Sequence, residues 1–119
     1  MKAPEKIKKD LVHYFDSEDF VSKTIVQINK DLGGVSEVFV ESKTDTGEKA
    51  LTQLIAQLIN VLERFENYEK LMQFIYRVDL NESDFYVALE KGEWEVLTFL
   101  IIRREAQKVY LRQKFSDHS

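Results

Sequence analysis

Arg104, Lys108 and Arg112 stand at i, i+4 and i+8, a spacing that sets three cations on one stripe of a helix. Such a stripe can track nucleic-acid phosphates or meet an acidic protein partner. Arg103 and Lys114 extend the cluster, and Tyr110 lies near its end. The chain as a whole opposes the nucleic-acid reading. Its 21 acids against 17 bases leave a formal net charge of −4, whereas nucleic-acid-binding domains are usually basic. Charge is also ordered along the chain: Asp79, Glu82, Asp84, Glu90, Glu93 and Glu95 precede the bases, with only Lys91 among them. Acids at the start of a helix and bases toward its end answer the helix dipole. The same bases can pair with acids of their own chain, and Asp79 is a candidate partner for Arg77 or Arg103. Internal pairing of Arg104 and Lys108 would remove them as phosphate contacts.

Other residues raise sharper chemistry and fail on context. Asp45-Thr46-Gly47 has the form of the catalytic aspartate loop of aspartic proteases, in which two such loops meet and share a proton. That chemistry needs a nearly all-β frame, and here a long amphipathic helix begins beside the tripeptide. The spacing predicts instead that Asp45 is a helix N-cap, with Glu48 as its capping-box partner. Glu63, Glu66 and Glu69 recur every three residues, but carboxylate di-metal bundles also need histidines on neighbouring helices. The chain holds only His13 and His118, too few for a triad or an imidazole-based site. Interleaved Arg64 and Lys70 make the glutamates a solvated face. Asn81-Glu82-Ser83 fits a glycosylation pattern, but helix capping by Asn81 accounts for it. Gly33-Gly34 lacks the spacing of a phosphate loop. No catalytic, metal or cofactor-binding residue is assigned and no cofactor is expected, which leaves Arg104, Lys108 and Arg112 as the candidate partner or phosphate contacts.

The elements that position these residues are helical. Ile7, Leu11 and Phe15 predict a short first helix after Pro4. Ser17 caps a second whose stripe is Val21, Ile25, Ile28 and Leu32, stopped by Gly33-Gly34. Leu51, Leu54, Ile55, Leu58, Ile59, Leu62 and Phe65 follow the helical template closely. A break near Asn67 leads to a helix with Leu71, Met72, Ile75 and Val78 inward. Asp79-Leu80 turns the chain, and Asn81 caps a short helix ended by Gly92. The last helix, Glu93 to Phe115, is apolar on nearly every side over Trp94, Val96, Leu97, Phe99, Leu100, Ile101 and Ile102. A helix apolar all round is buried all round, so this half should be the spine of the bundle. That apolar surface is difficult for a small bundle to cover: either the N-terminal helices wrap it or a second copy covers one side, and the reading leans to self-association. Val35 to Val40 is the one β-like segment, and it is either an extended crossover or an edge that pairs with another copy.

Phe74-Ile-Tyr-Arg-Val-Asp-Leu-Asn-Glu82 and Leu100-Ile-Ile-Arg-Arg-Glu-Ala-Gln-Lys108 resemble a group of small uncharacterised bacterial helical proteins, over about the C-terminal half. The resemblance implies an all-α fold and a bacterial cytoplasmic setting, and brings no activity or site residue.

The expectation is therefore one all-α domain, residues 1–119, a bundle of five or six helices with a short extended segment near residues 35–40. An N-terminal helical pair (4–33) leads through a crossover (34–46) to a helical core (47–115). Eight Phe, five Tyr and one Trp with 32% charged residues describe a folded chain rather than a disordered one. The absence of cysteine excludes disulfides and thiolate chemistry and fits a reducing compartment. No apolar run approaches a membrane span. The expected role is a non-enzymatic cytoplasmic protein–protein interaction or scaffold module, homodimeric or with another protein partner. The first alternative is a nucleic-acid-associated regulator using the basic helix, and the second is an enzyme working through carboxylates.

Overall fold

The computed structural model describes residues 3–65 and 67–116. Among them the chain forms six helices and no strand: α1 (Ala3–Tyr14), α2 (Glu18–Leu32), α3 (Gly47–Arg64), α4 (Tyr68–Val78), α5 (Glu82–Glu90) and α6 (Trp94–Ser116). His118 and Glu66 lie outside the described residues.

Most helix ends follow the expected local chemistry. Ser17 accepts the Phe20 N–H at the start of α2 (3.1 Å), and Gly33 closes that helix in the left-handed region at φ 63°. Asn67 accepts the Lys70 N–H (2.8 Å) and Asn81 accepts the Ser83 N–H (3.0 Å). Each satisfies a first-turn donor that the helix leaves open. Asp79 ends α4 at φ 67°, a conformation that Asp tolerates better than most residues.

The start of α3 departs from expectation. Thr46, not Asp45, occupies the N-cap position, and it makes no side-chain cap bond. Gly47 turns the chain at φ 56°, and its N–H reaches the Phe15 carbonyl (2.6 Å), tying this turn to the end of α1. That turn aims Asp45 away from the helix N-terminus. Its buried carboxylate accepts from the Ser42 N–H (3.1 Å) and Gln53 Nε2 (2.9 Å) and pairs with Lys49 (3.3 Å). Glu48, the expected capping partner, pairs with Lys8 instead (3.1 Å).

Val35 to Val40 runs extended across the bundle without strand pairing. Side-chain amides replace the missing strand. Asn29 of α2 donates to the Val38 carbonyl (3.0 Å) and accepts its N–H (2.8 Å). Gln57 of α3 does the same for Phe39 (2.7 and 2.8 Å), and Gln53 accepts the Glu41 N–H (2.8 Å). Backbone polar groups that would otherwise compete for a ladder are thus satisfied by two helices. Val38 is buried beneath the segment, while Val35 and Phe39 face out.

α6 is the spine. Its 23 residues, at about 1.5 Å of rise each, make it the longest of the six helices and nearly as long as the molecule's largest dimension of 38 Å. It contacts each of the other five helices. Val96 through Ile102 are all buried within the chain. The surplus apolar surface that pointed to self-association is therefore covered by the chain's own helices, and that argument for a dimer falls. At the far end of α6, Tyr110 sets its ring edge-on to Tyr14 (5.9 Å), which stacks on Phe20 (5.8 Å), so the helix tail is held to α1 and α2.

Candidate functional site

The three cations singled out in the sequence lead to one polar seam between α2, the end of α4 and the second half of α6. Lys108 sits at its centre. Its Nζ lies 2.7 Å from Asp31 Oδ2 and donates to the carbonyls of Arg77 (3.0 Å) and Val78 (3.3 Å). Those carbonyls belong to the last turn of α4, where the helix has no partners of its own to offer and carries partial negative charge. One ammonium thus pairs an acid of α2 and closes the end of α4.

Arg104 and Arg112 flank it. Arg104 holds Asp79, the residue that ends α4, through both its carboxylate (3.0 Å) and its carbonyl (3.1 Å). Arg112 donates to Gln27 Oε1 (2.8 Å), and Gln27 Nε2 in turn donates to Asp31 Oδ2 (3.2 Å). The partner expected for Asp79 was Arg77 or Arg103. Arg77 instead donates through Nε to the Asp31 carbonyl (2.5 Å), closing the end of α2, and its guanidinium lies against Gly33. The i+4 register explains the exchange: one stripe of α6 faces the ends of both neighbouring helices, and Arg103 lies off it.

Glu105 lies inside this seam and is fully buried, 0% exposed. Lys108 Nζ approaches its Oε1 to 2.6 Å, off the ideal hydrogen-bonding direction, so an ionised Glu105 would find no well-aligned donor, whereas a protonated one can donate to the facing Asp31 carboxylate. Burial foremost, with the facing Asp31 carboxylate, pushes the Glu105 carboxyl up to about 9, against the opposing pull of Lys108. Glu105 is therefore a neutral acid at physiological pH. Burial also pushes Asp31 upward, but protonated Glu105, Lys108 and Gln27 together outweigh it and hold Asp31 below its ordinary range. The centre of the seam then carries one carboxylate (Asp31), one ammonium (Lys108) and one carboxylic acid (Glu105).

Of the residues that build the seam, the sequence pointed to the cations and to Asp79. Gln27, Asp31 and Glu105 were passed over, although a signal existed. Thr98, Ile102, Glu105 and Val109 share one face of α6 (i, i+4, i+7, i+11), so an acid interrupts an otherwise inward stripe. Gln27 and Asp31 likewise flank Ile28 and Leu32 on the buried side of α2.

A buried acid with a displaced pKa beside a lysine is the kind of arrangement that catalytic sites use. Access decides otherwise here. Glu105 has no exposed surface, and five surface clefts of about 170 to 520 Å³ are lined without Asp31, Glu105 or Lys108. One of about 520 Å³ lies between the crossover and the end of α3, bordered by Phe39, Gln57, Asn60, Arg64 and Phe65, but the Gln57 amide is already engaged with Phe39. His13 is exposed on α1. Among the described residues no group of three or more metal-binding side chains converges, and no helix is long and apolar enough to cross a membrane.

One outer face stands apart from this seam. Tyr68, Met72 and Tyr76 form a stripe along α4 at four-residue spacing, with Tyr68 56% and Tyr76 68% exposed. Glu82, Tyr86 and Glu90 form a second stripe along α5, with Tyr86 45% exposed. The two stripes are close enough for the phenols to act on one another: Tyr68, then partial burial, Glu82 and Tyr76, raise Tyr86 above its ordinary value. No family model, no characterised protein and no solved structure matches this chain.

Proposed function

We propose that the protein is a non-enzymatic cytoplasmic interaction module that binds another protein through the outer face of α4 and α5. The observation that carries this reading is the pair of exposed stripes, Tyr68-Met72-Tyr76 and Glu82-Tyr86-Glu90. Tyrosine offers a large, stiff contact surface with a polar tip, and aromatic residues dominate the energetic centres of protein interfaces. The alternative use of the chain's surface, phosphate binding by Arg104, Lys108 and Arg112, has weaker support, because those side chains already hold Asp79, Asp31 and Gln27. Enzymatic use of the carboxylates is disfavoured by the sealing of Glu105. The cytoplasmic setting rests on the cysteine-free composition and on the resemblance to bacterial helical proteins.

The test is site-specific photo-cross-linking in cells. A benzophenone side chain in place of Tyr76 should yield a discrete cross-linked species, and the same group in place of exposed Lys43 should not. Equal yields from both positions would remove the α4–α5 face as the binding surface.

A further inference from the structure

We infer that the α4–α5 face receives an arginine-bearing amphipathic segment of a different protein, with one apolar side chain of that segment seated between the two helices. The inference rests on the interaction reading above and names its partner's chemistry.

A groove of about 170 Å³ runs where α4 ends and α5 begins. Met72, Ile75, Leu80 and Phe85 supply its apolar surface, and Tyr76 and Glu82 stand at its border. That size suits a single inserted side chain rather than a free organic ligand, since small-molecule pockets are usually several times larger. Glu90 lies about two turns beyond Glu82 along α5, and neither acid forms an ion pair among the described residues. Arg77 reaches back to α2, Arg104 is taken up by Asp79 at the edge of the groove, and Lys91 follows Glu90 at the end of α5. Glu82, beside the groove, therefore stands among phenols as a carboxylate with no cation paired to it among the described residues.

Charge decides the occupant. A second copy docking symmetrically through this face would bring the same unpaired acids, Glu82 and Glu90, to both sides of one interface, and like charges across an interface are disfavoured. A basic segment reverses that term. Arginine suits the surface better than lysine, because a guanidinium binds a carboxylate through two parallel N–H donors and also stacks on an aromatic ring. An apolar residue one helical turn from the arginine would reach the groove.

The test uses the full chain and a fluorescent synthetic amphipathic helix of leucine and arginine, with a glutamate-for-arginine version as its counterpart. Anisotropy should show binding of the arginine peptide alone. Tyr76→Ala, which alters no charge, and Glu82→Lys with Glu90→Lys should each weaken it about tenfold or more, as loss of an interface anchor does. Glu18→Lys with Glu63→Lys, the same change in net charge elsewhere, should leave it unchanged. Melting temperature confirms that each variant is folded, which exposed positions permit. Equal weakening by the control pair, or equal binding of the glutamate peptide, overturns the inference. Cross-linking from position 76 that the arginine peptide cannot displace would also overturn it, while leaving the interaction reading standing.

Discussion

Folding carries Glu105 from water into a site where none of its surface is exposed, and its protonation follows from that move. In the unfolded chain the carboxyl ionises near 4.5, and in the fold near 9. The folded state therefore holds a proton that the unfolded state loses as pH rises. Stability linked to Glu105 is complete below pH 4.5 and falls steadily until about pH 9. Asp31 acts in the opposite direction. Its folded pKa lies below the ordinary aspartate value of 3.8, so its contribution is present above that value and is lost as pH falls through the folded pKa. These two groups together place maximum stability between about pH 4 and 5, below the range usual for folded proteins. Glu105→Gln keeps the shape of the side chain, a donor toward Asp31 and an acceptor toward Lys108, and removes the titration. Thermal melts of the variant should match the parent at pH 4.5 and exceed it by at least about 5 °C at pH 8. A parent whose melting temperature does not fall between pH 5 and 9 would show Glu105 to be ionised in the fold.

Among the elements, the crossover depends most on side chains that a periodicity search treats as background. Gln53 and Gln57 occupy outward positions of α3, and in sequence they read as solvated polar residues. Their amides bond the backbone of a segment more than ten residues earlier, so no local pattern announces them. A search for a partner strand finds none because the partner is a row of amides. Gln57→Ala removes both bonds to Phe39 and should cost about 1 kcal/mol, with partial solvent compensation. Hydrogen exchange should show lost protection at the Phe39 amide, while the Val38 amide keeps its bond to Asn29. Loss of protection throughout α3 would instead mean that the segment is integral to that helix. Gly33 is a second dependence between elements. Its left-handed φ of 63° and the Arg77 guanidinium 3.3 Å from an added Cβ both oppose a side chain. Gly33→Ala should lower stability by about 1 kcal/mol or more in urea titration. The helices themselves, most of their caps and the buried spine were legible in the sequence, because they follow from spacing within one segment. The seam was half legible: charge density marked Lys108 and its neighbours, but their partners lie on other helices, at separations of up to 85 residues.

At the scale of the whole molecule, the basic half of α6 is a clasp. Arg104 and Lys108 hold the end of α4, Lys108 also holds Asp31 of α2, and Arg112 reaches α2 through Gln27. The apolar half of the same helix touches the remaining elements, so one helix organises the bundle by two kinds of force. The inward seam thus serves architecture, and the outward α4–α5 face is the one proposed for contact. Lys108 tests that division most directly, because the two readings of the basic stripe make opposite demands on it. Lys108→Met keeps the length of the side chain and removes the ammonium, stranding the buried Asp31 carboxylate and the Arg77 and Val78 carbonyls. Breaking a buried pair in this way costs about 3–5 kcal/mol, a large share of the stability of a small domain. Urea denaturation of Lys108→Met should show the midpoint falling sharply, and adding Asp31→Asn should restore part of the loss. A midpoint unchanged from the parent would contradict the account and return the stripe to the surface as a site for a ligand.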